Sequence, residues 1–158
     1  METNIPFILN TKRVEIMTDE NLTLLWILRS HFLLCGTKYG CGEGFCGSCT
    51  VLIDNKAVRS CQVSIKDMAG KEVTTIEGLS QNGDLHPLQK AFIEHDALQC
   101  GYCTPGMVLN AAGLLLKNPH PSRSEIIDEM EDNLCRCGSY NRIIDAIESA
   151  AAEMRGDN

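Results

Sequence analysis

The spacing of nine cysteines constrains this chain of 158 residues more than any other feature. Cys41, Cys46 and Cys49 stand as C-x4-C-x2-C, and Cys61 follows after eleven residues. Further on, Cys100 and Cys103 form C-x2-C, and Cys135 and Cys137 form C-x-C. The start, Met1-Glu2-Thr3-Asn4, lacks the basic stretch and apolar core of a signal peptide. The chain is therefore expected in the cytoplasm, where thiols stay reduced and disulfides are rare. Metal or cluster ligation is then the expected use of the cysteines, and the odd count leaves one over.

The remaining composition excludes several classes. A net charge of −7 and 5% aromatic residues suit neither a phosphate backbone nor stacked bases, so no nucleic acid is expected. The longest apolar runs, such as Leu24 to Leu28, are too short for a membrane span.

The two halves follow different patterns. In the first, Ile5 to Leu9 and Val14 to Ile16 flank Asn10-Thr11-Lys12, a hairpin signal. Thr23 can cap a helix running from Leu24 to His31, with Leu24, Ile27 and Leu28 on one face. Thr50 to Ile53 and Ala57-Val58 flank Asp54-Asn55-Lys56, a second hairpin, and Val73 to Ile76 is a further β-branched run. In the second half, Pro87 opens a helix carrying Leu88, Phe92 and Ile93. Thr104-Pro105 opens another, with Val108, Ala111, Ala112 and Leu115 on one face, which Asn118-Pro119 ends. Ser122 and Glu125 form a capping box before Ile126, Ile127 and Met130. Ile143, Ile144, Ile147, Ala150, Ala151 and Met154 stripe a last helix. An α+β chain follows: a small mixed sheet crossed by one helix over residues 1–78, then a helical domain over 84–158 that reads as a four-helix antiparallel bundle. The polar stretch from Leu79 to Asp84 joins them.

The first cysteine set has the spacing of plant-type [2Fe–2S] ferredoxins. Four thiolates must converge on a small inorganic core, so the backbone must wrap tightly. Gly40, Gly42, Gly44 and Gly47 permit that through positive φ and close approach. N–H groups of such a loop can point at the sulfurs and tune the potential. A four-cysteine zinc site is the competing reading, but zinc ribbons favour paired C-x2-C knuckles. In the second set each pair precedes a helix, where the N-terminal dipole favours thiolates. The residues alone leave both a second cluster and a structural zinc open there.

Other features carry less chemistry. His86, His95 and His120 read as surface or capping residues near helix ends. Gly42, Gly44 and Gly47 spell G-x-G-x-x-G, but cysteines interrupt it and no βαβ unit surrounds it. No nucleophile–base pair is visible, so no catalytic residue is expected. Trp26 reads as core packing, and Cys35, outside both sets, as a small buried hydrophobe.

Three strings resemble one family: Gly40-Cys41-Gly42-Glu43-Gly44-Phe45-Cys46-Gly47-Ser48-Cys49-Thr50, Gln99-Cys100-Gly101-Tyr102-Cys103-Thr104-Pro105-Gly106 and Asn133-Leu134-Cys135-Arg136-Cys137-Gly138. In that order they resemble the iron–sulfur subunit of the molybdenum hydroxylases, the xanthine oxidase family. The likeness runs from about Pro6 to Ala152. It implies a plant-ferredoxin-like β-grasp domain with a distal [2Fe–2S] cluster on Cys41, Cys46, Cys49 and Cys61. It also implies a helical domain with a proximal cluster on Cys100, Cys103, Cys135 and Cys137. Gln99 and Cys137 would contact the pterin of a molybdenum cofactor in a large partner subunit. Electrons drawn from a heteroaromatic or aldehyde would pass through both clusters to an FAD-binding subunit or a cytochrome. Trp26 and the short C-terminus resemble two-component members without a flavin subunit. A free-standing two-cluster ferredoxin is the alternative, against which the helical half argues.

Overall fold

The computed structural model describes residues 2–157. Strands β1 (Glu2–Leu9) and β2 (Lys12–Asp19) form the first hairpin, paired from Glu2↔Asp19 to Leu9↔Lys12. Its two-residue turn places Asn10 and Thr11 at positive φ, the geometry that matches strand twist. Strands β3 (Thr50–Ile53) and β4 (Lys56–Arg59) repeat the device with Asp54 and Asn55 at positive φ. A short strand β5 (Glu72–Thr74) runs parallel to β1 and antiparallel to β3, giving a five-stranded mixed sheet ordered β2-β1-β5-β3-β4.

Helix α1 (Leu24–Ser30) begins where Thr23 Oγ1 accepts from the Trp26 N–H at 3.2 Å. It lays Leu24, Ile27 and Leu28 against Ile5, Phe7 and Val51 of the sheet. That grasp of one helix by a mixed sheet is the expected β-grasp arrangement. Trp26 departs from expectation: it is 60% exposed. It stands about 100° around the helix from both Leu25 and Ile27, and the sheet takes that other face.

The β-branched run ending at Ile76 is also shorter than expected, because β5 stops at Thr74. Asn10 explains the exit. Its Oδ1 accepts from the Thr75 N–H at 2.9 Å and its Nδ2 donates to Thr75 Oγ1 at 3.0 Å. Thr75 then precedes a single helical turn, α2 (Ile76–Leu79).

The second half contains α3 (Pro87–Glu94), α4 (Thr104–Lys117), α5 (Arg123–Met130) and α6 (Tyr140–Arg155), sharing one core. Ser122 and Glu125 form the expected capping box. His86 caps α3 through Nδ1, which accepts from the Leu88 N–H at 3.2 Å. Ile93, Ile127 and Met154 were expected on buried faces but are exposed. Ile93 and Ile127 each follow a core residue directly, and that single step turns them outward. Met154 lies in the last turn of α6, beyond the buried Ala150 and Ala151.

The halves meet closely. Leu52 of β3 belongs to the helical core, whereas Val51 and Ile53 belong to the sheet core. Alternate residues of one strand thus serve two cores. Gly106 of α4 lies so near the first half that a Cβ there would sit 2.3 Å from the Gly47 carbonyl oxygen.

Candidate metal centres

The loop before β3 wraps around its own sulfurs. The Cys41 N–H donates to Cys46 Sγ at 3.3 Å, and the Glu43 and Cys46 N–H groups donate to Cys41 Sγ at 3.4 Å. Chiefly through the Glu43 N–H, these bonds hold the Cys41 thiol down at about 7 against the opposing effect of burial. Gly40 contributes space rather than positive φ: a Cβ there would fall 2.6 Å from Cys46 Sγ.

Cys49 and Cys61 sit deeper, with sulfurs 3.3 Å apart and Leu25 packed against both. Burial pushes the Cys49 thiol up to about 11. Gln62 was not singled out from sequence; its Nε2 donates to the Gly42 carbonyl at 3.1 Å and to Cys61 Sγ at 3.4 Å. Its one sequence signal is adjacency to Cys61.

The second set gathers at the starts of α4 and α6. Cys103 is the N-cap of α4, and burial, aided by Cys135, pushes its thiol up to about 12. Cys135 is also driven upward by burial, yet N–H groups of Ser139, Gly138 and Cys137 and the hydrogen bond shared with Cys103 leave it below the ordinary thiol value. Cys103 is thus the donor and Cys135 the sulfur poised for charge. The exposed Gln99 donates through Nε2 to the Cys137 carbonyl at 3.1 Å, so these two sequence-selected residues do adjoin.

The two sets are neighbours. Cys41, Cys46, Cys100, Cys103, Cys135 and Cys137 all line one cavity of about 270 Å³. The sulfurs meet in pairs, Cys49 with Cys61 and Cys103 with Cys135. Among the described residues no three His, Cys, Asp or Glu side chains converge on one ion-sized point. Paired thiolates with N–H groups aimed at them fit a core of two metal atoms better than a single tetrahedral ion.

Cys35 stands outside both sets, as expected, but it is exposed and not a buried hydrophobe. Arg29 and Lys38 both donate to its carbonyl, holding a turn of the chain at the surface. No helix among the described residues is long and apolar enough to cross a membrane.

Comparison with known proteins decides between the metals. Residues 7–77 match the 2Fe-2S iron-sulfur cluster binding domain family, and residues 75–148 match the [2Fe-2S] binding domain family. Isoquinoline 1-oxidoreductase subunit alpha of Brevundimonas diminuta is 49% identical over 150 residues, covering 94% of this chain and 98% of that protein. This chain belongs to the iron–sulfur subunits of the molybdenum hydroxylases. Quinoline 2-oxidoreductase of Pseudomonas putida 86 superposes with a TM-score of 0.92 at 43% identity, over 99% of both chains. Aldehyde oxidoreductase of Desulfovibrio gigas superposes at 0.94 with 39% identity, over 99% of this chain but 18% of its own. The same unit therefore occurs both as a separate subunit and as part of a longer chain. As a member of this family the protein binds two [2Fe–2S] clusters and serves as the electron-transfer subunit of an oxidoreductase. Zinc in the second set is thereby set aside.

Proposed function

We propose that Cys41, Cys46, Cys49 and Cys61 hold the outer cluster, and that Cys100, Cys103, Cys135 and Cys137 hold the inner one. Residues 1–78 and 84–158 then act as two cluster-binding domains, a division supported by their two separate cores. The observation that carries the ligand assignment is the pairing of sulfurs within each set, Cys49 with Cys61 at 3.3 Å and Cys103 with Cys135. When bound, each cluster supplies a site that takes up and releases one electron. The cysteines supply the thiolates, and the N–H groups of Cys41, Glu43 and Cys46 stabilise charge on the outer sulfurs. Leu25 keeps water from Cys49 and Cys61.

The exposed Gln99 and the half-buried Cys137 face the pterin of a molybdenum cofactor held by a large partner subunit. The bond between them supports this, since it fixes the Gln99 amide beside a ligand of the inner cluster. The outer cluster delivers electrons to an FAD-binding subunit or a cytochrome, and the assembly works in the cytoplasm, where its nine cysteines stay reduced. A free-standing carrier is not favoured, because full-length relatives are named as subunits of oxidoreductases.

The test is low-temperature EPR of the anaerobically reduced protein, with iron and labile sulfide assayed together. About four irons per chain and two distinct spin-½ signals are expected. In Cys135→Ser the inner signal and about half the iron should go, and the helical half should loosen. A variant with both signals and unchanged melting would overturn the assignment.

A further inference from the structure

Gln62 follows Cys61 directly in the turn after β4. The residue is exposed, yet its amide is tied down by three acceptors. Nε2 donates to the Gly42 carbonyl at 3.1 Å, to the Cys61 carbonyl at 3.3 Å and to Cys61 Sγ at 3.4 Å. Turned over, the amide would set its oxygen against two carbonyls and a sulfur, so the network requires the nitrogen on this side. Gly44 makes room for the arrangement: its φ is +84°, and a Cβ there would fall 2.9 Å from Gln62 Cγ.

Cys61 differs from Cys41 in what reaches its sulfur. Backbone N–H groups of Glu43 and Cys46 donate to Cys41 Sγ. At Cys61 a side chain supplies the N–H. Cys61 is only 8% exposed, so its sulfur meets little water and a single donor weighs more there.

Resting on the assignment of Cys61 to the outer cluster, we infer that the Gln62 amide, by donating to the Cys61 sulfur, raises the reduction potential of that cluster and so draws electrons outward. The physical basis is charge. Reduction adds an electron whose charge is shared with the ligand sulfurs, and an N–H aimed at such a sulfur stabilises the more negative form. The backbone donors at Cys41 persist whatever side chains the loop carries, whereas this one is encoded by a single residue. Gln62 bonds no substrate; it acts through Cys61 as a positioning residue.

The test uses the cluster-loaded full chain, with both EPR signals titrated against potential. The outer signal is the one that survives Cys135→Ser. In Gln62→Leu the reduced-to-oxidised ratio of the outer cluster at a fixed poise should fall about threefold, equivalent to about 28 mV at about 59 mV per tenfold for a one-electron couple. The inner potential should not move. Gln62→Glu puts a carboxylate of the same shape in place of the donor, so the outer ratio should fall further. A second readout needs no substitution. The chain has four glutamines, Gln62, Gln81, Gln89 and Gln99, and Gln99 lies beside Cys137 of the other set. Protein labelled with 15N in the glutamine side chains should therefore show one 15N coupling to the reduced outer cluster by pulsed EPR, and Gln62→Leu should lose it. An outer potential that stays put in both variants, or moves no more than the inner one, would overturn the role of Gln62, as would the lack of that coupling in the unsubstituted protein. An outer signal retained in Cys61→Ala would instead overturn the ligand assignment beneath it.

Discussion

The N–H of Leu134 donates to the carbonyl of Cys46 across 2.9 Å, joining the backbones that carry the two cysteine sets. The bond is held in place from one residue away. Asn133, buried, accepts from Arg59 through Oδ1 at 3.0 Å and donates to the Gly47 carbonyl through Nδ2 at 3.4 Å. Arg59 also donates to Thr50 Oγ1 at 2.5 Å. This clamp fixes how near the two sets lie, which matters because electron transfer between them depends on separation.

Asn133→Ala should therefore cost about 1–3 kcal/mol of stability, since it removes one bond to the Gly47 carbonyl and one to Arg59, which keep only their bonds to Thr50 and the Asp132 carbonyl. Denaturant unfolding of the cluster-loaded chain reads the loss, and the spin–spin splitting between the two reduced clusters should weaken. Unchanged unfolding together with unchanged splitting would mean that the clamp does not set the spacing.

Gly47 is under two constraints at once. Its φ is +73°, and a Cβ would fall 2.5 Å from Asn133 Nδ2. Left-handed backbone costs an L-residue about 1–2 kcal/mol, and overpacking adds about 1–3 kcal/mol. Gly70 has nearly the same φ, +74°, with no atom within 4 Å. Gly70→Ala should show the first cost alone and Gly47→Ala both, together with a shift in the EPR spectrum. Equal melting of the two variants would refute the role given to the close approach.

Helix α1 offers a contrast of faces. Trp26 is 60% exposed, so Trp26→Ala should change stability by no more than about 0.5 kcal/mol. Leu28 is fully buried, and Leu28→Ala should cost about 2–5 kcal/mol. A large loss from Trp26→Ala in the isolated chain would show that the side chain packs inward.

The contrast also marks how far the sequence could be read. The motifs of Cys41, Cys46 and Cys49, of Cys100 and Cys103, and of Cys135 and Cys137 were legible because the members of each lie within a few residues of one another and their spacing reflects local wrapping. Helix starts at Thr23 and Ser122 were legible for the same reason: a cap acts over three residues. Trp26, Ile93 and Ile127 were not, because an apolar residue beside an apolar residue does not say which of the two the core will take. Arg59, Gln62 and Asn10 were missed for another reason. Arg59 meets Asn133 across 74 positions, Gln62 meets Gly42 across 20, and Asn10 meets Thr75 across 65. Such contacts leave no periodicity in one chain.

The cap of α3 should make stability depend on pH. His86 must present an unprotonated Nδ1 to accept from the Leu88 N–H. Burial lowers its pKa below the ordinary 6.5, while the charge of Glu153 acts in the opposite sense. Glu153 is itself 3.7 Å from Lys90, which weakens that opposition. Between the folded and unfolded values the unfolded chain binds more protons, so stability rises with pH there. The contribution is therefore full above about 6.5 and declines as pH falls below it. His86→Asn keeps a capping acceptor but cannot titrate, so its unfolding free energy should lose this part of the slope. Parallel pH profiles for the two proteins between about 5 and 7 would show that the cap does not sense protons.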